Sequence, residues 1–436
     1  MIKYSQAIEY IYGLNKYGIK LGLKNISYLL SFFDNPHFKT NVIHVAGTNG
    51  KGSTAAIISS ILSESRYKVG LYTSPHLVHF QERMRINGKF ISKEEVCHLL
   101  ERMKPAIHKV ATTEGYQHPT FFEVITAMAF LYFFENNVDF SIIEVGLGGR
   151  LDATNVCDPI ISIISHIDYD HMDRLGNSLT EIAHEKGAII KNKKFVVSAN
   201  QYPEAEKVIK AISEEKQAIL YTVGQEIKTS LINSSLEGNY FNYSGIYRQL
   251  KNLHIPLIGR YQTENASLAV ATAELLNHIG YTINERHIVE GLESCRWPGR
   301  FEIVQKQPMV ILDGAHNPSG VDQFTINLKK MLPNKQIIAI LGTFSDKDYP
   351  HILKKIVPFV SQLILTMANN PRATPTHILA REAGRYIATE KIIETNTVDA
   401  AINESFRIAQ KDDVICVTGS LYTVGEAEAY FLKNKQ

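Results

Sequence analysis

The run NVIHVA (41–46) is short, apolar and β-branched. Across a glycine-rich turn it is followed by the longer helical pattern GSTAAIISSILSESR (52–66). The same alternation recurs along the chain. KVGLYT (68–73), DFSIIEVG (139–146) and IISIISHI (160–167) read as strands, and KEEVCHLLERMKPAIHKVA (93–111) and FFEVITAMAFLYFFENN (121–137) read as helices. Strands with no polar alternation are buried on both faces, as in a mostly parallel sheet covered by helices. The fold class is therefore α/β.

Between about 224 and 258 the pattern turns polar and aromatic, as in SLEGNYFNYSG, which predicts a short antiparallel patch. Helices at 262–279 and 284–293 follow, and SCRWPGR (294–300) then brings the only Trp together with Pro and Gly. Beyond it PMVILDG, QIIAILGT, QLILTMA and DVICVTGS form a second alternating series, a smaller doubly wound domain. At 436 residues two domains are expected, 1–296 and 297–436.

The 46 basic and 44 acidic residues nearly cancel to +2, which gives no nucleic-acid footprint and no polybasic membrane anchor. The N-terminus lacks the uninterrupted apolar stretch of a signal peptide, and no run is long enough to span a bilayer. Cys97, Cys157, Cys295 and Cys416 are far apart and form no C-x-x-C pair, which fits buried free thiols in a reducing cytoplasm.

AGTNGKGST (46–54) sets a glycine-rich turn between a strand and a helix. Glycines let backbone N–H groups converge on phosphate oxygens, the helix N-terminus adds its dipole, and Lys51 supplies a point charge. The Walker A pattern is not met, because Val45 stands at the first glycine position and Gly52 separates Lys51 from Ser53. The order strand, loop, lysine, helix still favours a phosphate cradle over an ordinary glycine turn.

Other strand ends carry polar groups, and ligand sites in doubly wound sheets lie at such ends. Ser74 in LYTSPHL has a hydroxyl that can ligate Mg2+; an ordinary surface hydroxyl is the alternative. Glu144 in SIIEVGLGG is a carboxylate that is costly in a buried strand unless a cation or metal meets it. SHIDYDHMDRLG concentrates Asp168, Asp170, His171 and Asp173, a set suited to a hard metal rather than zinc, or else a solvated acidic loop. On spacing alone Lys186 in EIAHEKGAIIK is a surface lysine paired with Glu181 or Glu185. In the second domain VILDGAHNPSG places Asp313, His316 and Asn317 at a strand end, and GTFSDKD and TGSLYTVGE repeat the theme.

Taken in order, GTNGKGS, TSPHL, FFEV, EVGLGGRLDATN, DHMDRLG, EKGAIIK, RWPGRFE, LDGAHNP, DKD and GSLY resemble the folylpolyglutamate synthase and dihydrofolate synthase family of the Mur ligase superfamily. The resemblance runs from about Gly13 to Glu426. It implies an N-terminal P-loop ATPase-like domain, a smaller C-terminal Rossmann-like glutamate ligase domain, and ATP bound between them. The family's ATP contacts fall on Gly47, Thr48, Asn49, Gly50, Lys51, Gly52, Ser53, Asn265, Arg300, Asp313 and His316. Its magnesium ligands fall on Ser74, Glu144 and His171, and Lys186 matches a lysine that the family carbamylates into a further metal ligand. Lys51, Glu144, His171 and Lys186 are thereby the expected catalytic set. Arg83, Phe121 and Phe122 match the folate side, Asp152 is a further substrate-binding match, and His316 and Ser420 are the candidates for glutamate. One departure is visible: the family usually reads EKAGI, whereas Gly187 and Ala188 are transposed here.

The implied activity is ATP-dependent addition of L-glutamate to the γ-carboxylate of (tetrahydro)folate through an acyl phosphate, with dihydrofolate synthase activity on dihydropteroate as an expected second reaction. Mg2+ is the implied cofactor and ATP the co-substrate. The expected partners are small molecules only, with no nucleic acid and no membrane; the family default is a cytoplasmic monomer. Two other readings compete. A Mur-type ligase acting on a UDP-muramyl peptide usually has Thr or Ser directly after the loop lysine, a DYAH-like segment and an extra N-terminal domain, whereas here Gly52 follows Lys51, the segment reads LDGAH, and about 40 residues precede the loop. A P-loop nucleotide-dependent switch suits the loop but not a ligand-bearing second domain.

Overall fold

The computed structural model describes residues 2–18 and 20–434. Its first sheet is built from β1 (Asn41–Ala46), β2 (Val69–Tyr72), β3 (Met84–Ile86), β4 (Lys89–Phe90), β5 (Phe140–Glu144), β6 (Ile161–Ile164), β7 (Phe195–Ser198) and β8 (Ile219–Thr222). The spatial order is β4-β3-β2-β5-β1-β6-β7-β8. β2 to β3 and β3 to β4 are antiparallel, and the other neighbours are parallel.

The central strands are buried on both faces, as their unbroken apolar runs require. On one face Ile43, Val45, Phe140, Ile142, Ile161 and Ile163 pack with residues of helices Lys51–Glu64, Tyr261–His278 and Glu285–Ser294. That core also takes in Phe241, Tyr243 and Leu253 from a three-stranded antiparallel sheet, β9 (Lys228–Ser235), β10 (Gly238–Ser244) and β11 (Gln249–Ile255). On the other face lie helices Tyr4–Gly13, Lys24–Ser31, Lys93–Thr112 and Phe121–Glu135. Helix Phe121–Glu135 is apolar all round and buried continuously from Glu123 to Phe133, the pattern of a helix enclosed by others. Thr120 and Glu123 start it with a capping box.

The second sheet holds β12 (Glu302–Lys306), β13 (Met309–Leu312), β14 (Ile337–Leu341), β15 (Gln362–Leu365), β16 (Ile392–Glu394) and β17 (Val414–Thr418), in the order β12-β13-β17-β14-β15-β16. Only β12 runs antiparallel to its neighbour. The molecule thus has the α/β architecture expected, a mostly parallel N-terminal sheet and a smaller C-terminal mixed sheet. The alternation of apolar runs did not announce the hairpin β3–β4 or the edge strands β12 and β16. These are short and partly exposed, so they carry no continuous apolar signal.

Candidate active site

The carboxyl ends of β1, β5 and β6 and the start of helix Pro318–Met331 converge on one cavity of about 580 Å3. The glycine-rich loop forms its floor. Gly50 ends the loop at φ 89°, a left-handed conformation that favours glycine, and hands over directly to helix Lys51–Glu64. The Thr48 and Asn49 N–H groups donate to the His166 carbonyl at 2.8 and 3.2 Å, and Thr48 Oγ1 donates to the Asp168 carbonyl at 2.9 Å. The loop is thereby fixed to the segment after β6.

Gly52, the residue that breaks the Walker pattern, is needed for a close approach. A Cβ there would stand 2.9 Å from Cζ2 of Trp297, whose indole lies against the start of the helix. The Arg85 guanidinium sits 5.0 Å from the Trp297 ring and 4.8 Å from Phe90, so the hairpin β3–β4 braces the linker onto the loop.

Lys51 Nζ donates to the Gly47 and Thr48 carbonyls at 3.0 Å each. Burial pushes its ammonium below the usual range, against the pull of Glu144 and Asp170. Lys186, a surface lysine by spacing, is instead only 5% exposed, and its Nζ donates to the same Gly47 carbonyl at 2.9 Å. Burial, with Lys51 adding repulsion, brings it down to about 7. The transposed Gly187 sits against Ile209 and Ile212 of helix Pro203–Glu215 and leaves Lys186 in the site.

Glu144, at the end of β5, accepts from the Ser74 N–H at 3.1 Å, and burial pushes its carboxyl up despite Lys51 nearby. His171 stands at φ 50° after β6, with its imidazole held down to about 4 by burial, hence neutral at pH 7. Ser74, Glu144, His171 and Lys186 all line the cavity. Among the described residues no three His, Cys, Asp or Glu side chains converge on one metal-sized point. The donor set nevertheless fits Mg2+: a buried carboxylate short of donors, a hydroxyl and a neutral imidazole, with room for water or phosphate oxygens as remaining ligands.

The opposite wall comes from the second sheet. Arg300, Asp313 and His316 reach the cavity from the linker and the end of β13. Asp313 accepts from the Phe301 and Ala315 N–H groups at 2.8 Å each and so shapes this wall. Asn317 Nδ2 donates to Asn49 Oδ1 at 3.0 Å, joining the second domain to the loop. Asn265, on helix Tyr261–His278, lies against Gly50 and accepts from Thr54 Oγ1 at 3.4 Å.

Asp170 binds the two sheets together. It accepts from Lys347 Nζ at 2.9 Å and Asn317 Nδ2 at 3.2 Å, with His316 Nε2 at 3.7 Å. Burial would raise its carboxyl, but His316, His171 and Lys347 hold it well below the usual carboxylate range. Sequence reading named Asp170 and GTFSDKD without pairing them. They are 177 positions apart, and no local pattern reports such a contact.

The expected folate-side residues lie beside the cavity rather than in its lining. Arg83 Nε donates to His76 Nδ1 at 2.8 Å, and its guanidinium stands 5.4 Å from the Phe121 ring. Tyr12 stacks on Phe121 at 5.7 Å and its hydroxyl meets His76 Nε2 at 3.2 Å. Neither Tyr12 nor His76 was singled out beforehand. His76 lines a second, smaller cavity that shares Ser74, Pro75, Glu144 and Arg300 with the first, so the aromatic cluster connects to the loop. Phe122 lies under Gly146. Asp152 and Ser420 are buried and bonded locally, Asp152 to Leu147 and Thr154 and Ser420 to Thr423.

Comparison with known proteins adds names to this geometry. Residues 86–273 match the Mur ligase middle domain, and residues 299–421 match the Mur ligase glutamate ligase domain. The chain is 37% identical over 427 residues to the dihydrofolate synthase/folylpolyglutamate synthase of Bacillus subtilis, covering 97% of this chain and 98% of that one. It resembles the solved Mycobacterium tuberculosis folylpolyglutamate synthase complexed with ADP and AMPPCP, with a TM-score of 0.90, 28% identity and coverage of 98% and 99% of the two chains. It also resembles Escherichia coli FolC in complex with DHPP and ADP, with a TM-score of 0.88, 30% identity and full coverage of both chains, 100% each.

Proposed function

The chain belongs to the folylpolyglutamate synthase and dihydrofolate synthase family of the Mur ligase superfamily, and from that premise we propose how its residues divide the reaction. It is an ATP-dependent ligase that joins L-glutamate to folate, and dihydrofolate synthase activity on dihydropteroate is the second reaction of the same site. The observation that carries the assignment is the single cavity walled by the glycine-rich loop, Glu144 and His171 on one side and by Arg300, Asp313 and His316 on the other. We place the boundary between the nucleotide-binding domain and the glutamate ligase domain at 296/297, next to the Trp297 bracket on the loop.

The substrate carboxylate attacks the γ-phosphorus of ATP, the bond to the bridging β,γ-oxygen breaks, and ADP leaves. The glutamate amine then attacks the acyl carbon, phosphate departs, and the amine gives up a proton. Such transfer is chiefly a matter of positioning and charge neutralisation. The loop N–H groups and Lys51 hold the β- and γ-phosphates, with Gly47, Thr48, Asn49, Gly50, Gly52 and Ser53 forming the cradle. Asn265, Arg300, Asp313 and His316 hold the nucleotide from the remaining sides. Mg2+, bound by Ser74, Glu144 and His171, would supply charge stabilisation for the leaving oxygen. With its pKa brought to about 7, Lys186 has an unprotonated fraction that can add CO2, forming an N–C bond and releasing one proton, to become an anionic ligand. Arg83, Phe121, Phe122 and Asp152 form the folate side, and His316 and Ser420 the glutamate side. Closure across Asp170 and Lys347 excludes water that would otherwise hydrolyse the acyl phosphate.

The four cysteines are all free and buried. Among the described residues no helix is long and apolar enough to cross a membrane. A cytoplasmic location suits both facts, and a monomer is the family default. Incorporation of labelled glutamate, assayed separately with tetrahydrofolate and dihydropteroate, tests the substrate assignment. Transfer to tetrahydrofolate is expected, and transfer to neither acceptor would overturn it.

A further inference from the structure

Beneath the cavity a chain of buried polar groups runs from Asp152, on the folate side, to Thr154, His44 and Cys157, which the reaction as described does not use. Asp152 follows the 146–148 turn, whose three residues line the cavity. One oxygen of Asp152 accepts from the Leu147 N–H at 2.8 Å. The other accepts from the Thr154 N–H at 2.9 Å and from Thr154 Oγ1 at 2.5 Å. Burial pushes this carboxyl up, but three donors on its two oxygens favour the carboxylate, and the Thr154 hydroxyl donates to it.

That direction settles the next link. His44, on β1, is fully buried, with Nε2 2.8 Å from Thr154 Oγ1 and Nδ1 3.7 Å from Cys157 Sγ. Thr154 has already given its only proton to Asp152, so its oxygen must receive one from His44 Nε2–H. Nδ1 is then the bare acceptor facing the thiol. Burial keeps the ring neutral, down to about 3. The protons therefore run one way, from Cys157 to His44 to Thr154 to Asp152.

We propose that His44 is a positioning residue: its Nε2–H, through Thr154, holds the Asp152 carboxylate in the place that orders the 146–148 wall of the cavity. Gly146 in that wall rests on Phe122, so the wall faces the folate side. Phosphate is held elsewhere, by the loop and Lys51. The inference rests on the reading that this wall meets the pterin substrate. His44→Leu leaves the Thr154 oxygen without a donor and frees Asp152 to shift. His44→Gln puts an amide N–H near the Nε2 position, whereas His44→Asn is too short to reach it.

The test combines kinetics with 15N NMR of the histidine-labelled protein, His44 being assigned by its loss in His44→Gln. The expected spectrum shows His44 protonated on Nε2 and bare on Nδ1 between about pH 5 and 8, and Thr154→Val abolishes that tautomer preference. His44→Leu is expected to raise the KM for the folate substrate about tenfold while kcat and the KM for ATP change by less than about threefold, and His44→Gln restores most of it. A ring protonated on Nδ1, or a folded His44→Leu with unchanged folate KM, overturns the proposal. Asp152→Asn separates the two layers. If it raises the folate KM where His44→Leu does not, only the role of His44 fails; if neither changes it, the reading of the wall fails as well.

Discussion

Lys51 and Lys186 donate to one and the same acceptor, the carbonyl oxygen of Gly47, at 3.0 and 2.9 Å. Two ammonium groups sharing one oxygen repel each other. Lys186 is brought to about 7 by burial and by Lys51, and Lys51 is likewise pushed down by burial against the pull of Glu144 and Asp170. We propose that the pair divides the labour, with Lys51 as the cation for phosphate and Lys186 as the amine that is converted.

Lys51→Ala is expected to lower kcat by about a hundredfold or more, because one preorganised electrostatic group is removed from a developing charge. Circular dichroism should show the fold intact, since Lys51 bonds only to its own loop. Near-normal turnover in a folded variant would refute the assignment.

Lys186→Met tests the buried amine through stability. Its folded pKa of about 7 lies below the ordinary 10.5, so between those values the unfolded chain binds more protons and wild-type stability rises with pH. Below about 7 the penalty is at its full value. In CO2-free buffer Lys186→Met should therefore melt above the wild type at about pH 6, with the gap closing towards about pH 10. Its ligase activity should be lost throughout.

Trp297 is the only tryptophan and lies against Gly52 at the base of the loop. Intrinsic fluorescence should therefore report nucleotide binding directly. Gly52→Ala forces a 2.9 Å contact with the indole and is expected to weaken ATP binding by about tenfold. The check is a fluorescence titration of both proteins with ATP.

Much of this site was legible in the sequence because its parts are local. The loop GTNGKGS, the carboxylate of Glu144 at a strand end and the DGAH segment each announce a role within a few residues. Lys186 was not legible from spacing, since its burial depends on helix Leu179–Gly187 docking under the loop. Asp170 with Lys347 and Trp297 with Gly52 join distant parts of the chain and leave no periodic signal. The edge strands β12 and β16 were missed for a different reason: half-exposed strands lack the apolar run that marks a central one.

Asp170 and Lys347 form a nearly buried pair, their side chains 13% and 12% exposed. Removing one partner strands the other charge. Asp170→Asn and Lys347→Met are each expected to lower kcat/KM by about tenfold or more, and the double variant by clearly less than the product of the two. Strict additivity in that cycle would mean that the contact does not couple the domains in catalysis.

The proposed mechanism activates folate as an acyl phosphate in the cavity between the two sheets. It is tested most directly with folate substrate carrying 18O in its γ-carboxylate, by mass spectrometry of the phosphate released with glutamate. Phosphate carrying one 18O atom per turnover is predicted, because the attacking carboxylate oxygen leaves with phosphorus. Unlabelled phosphate, with amide product still formed, would contradict the mechanism.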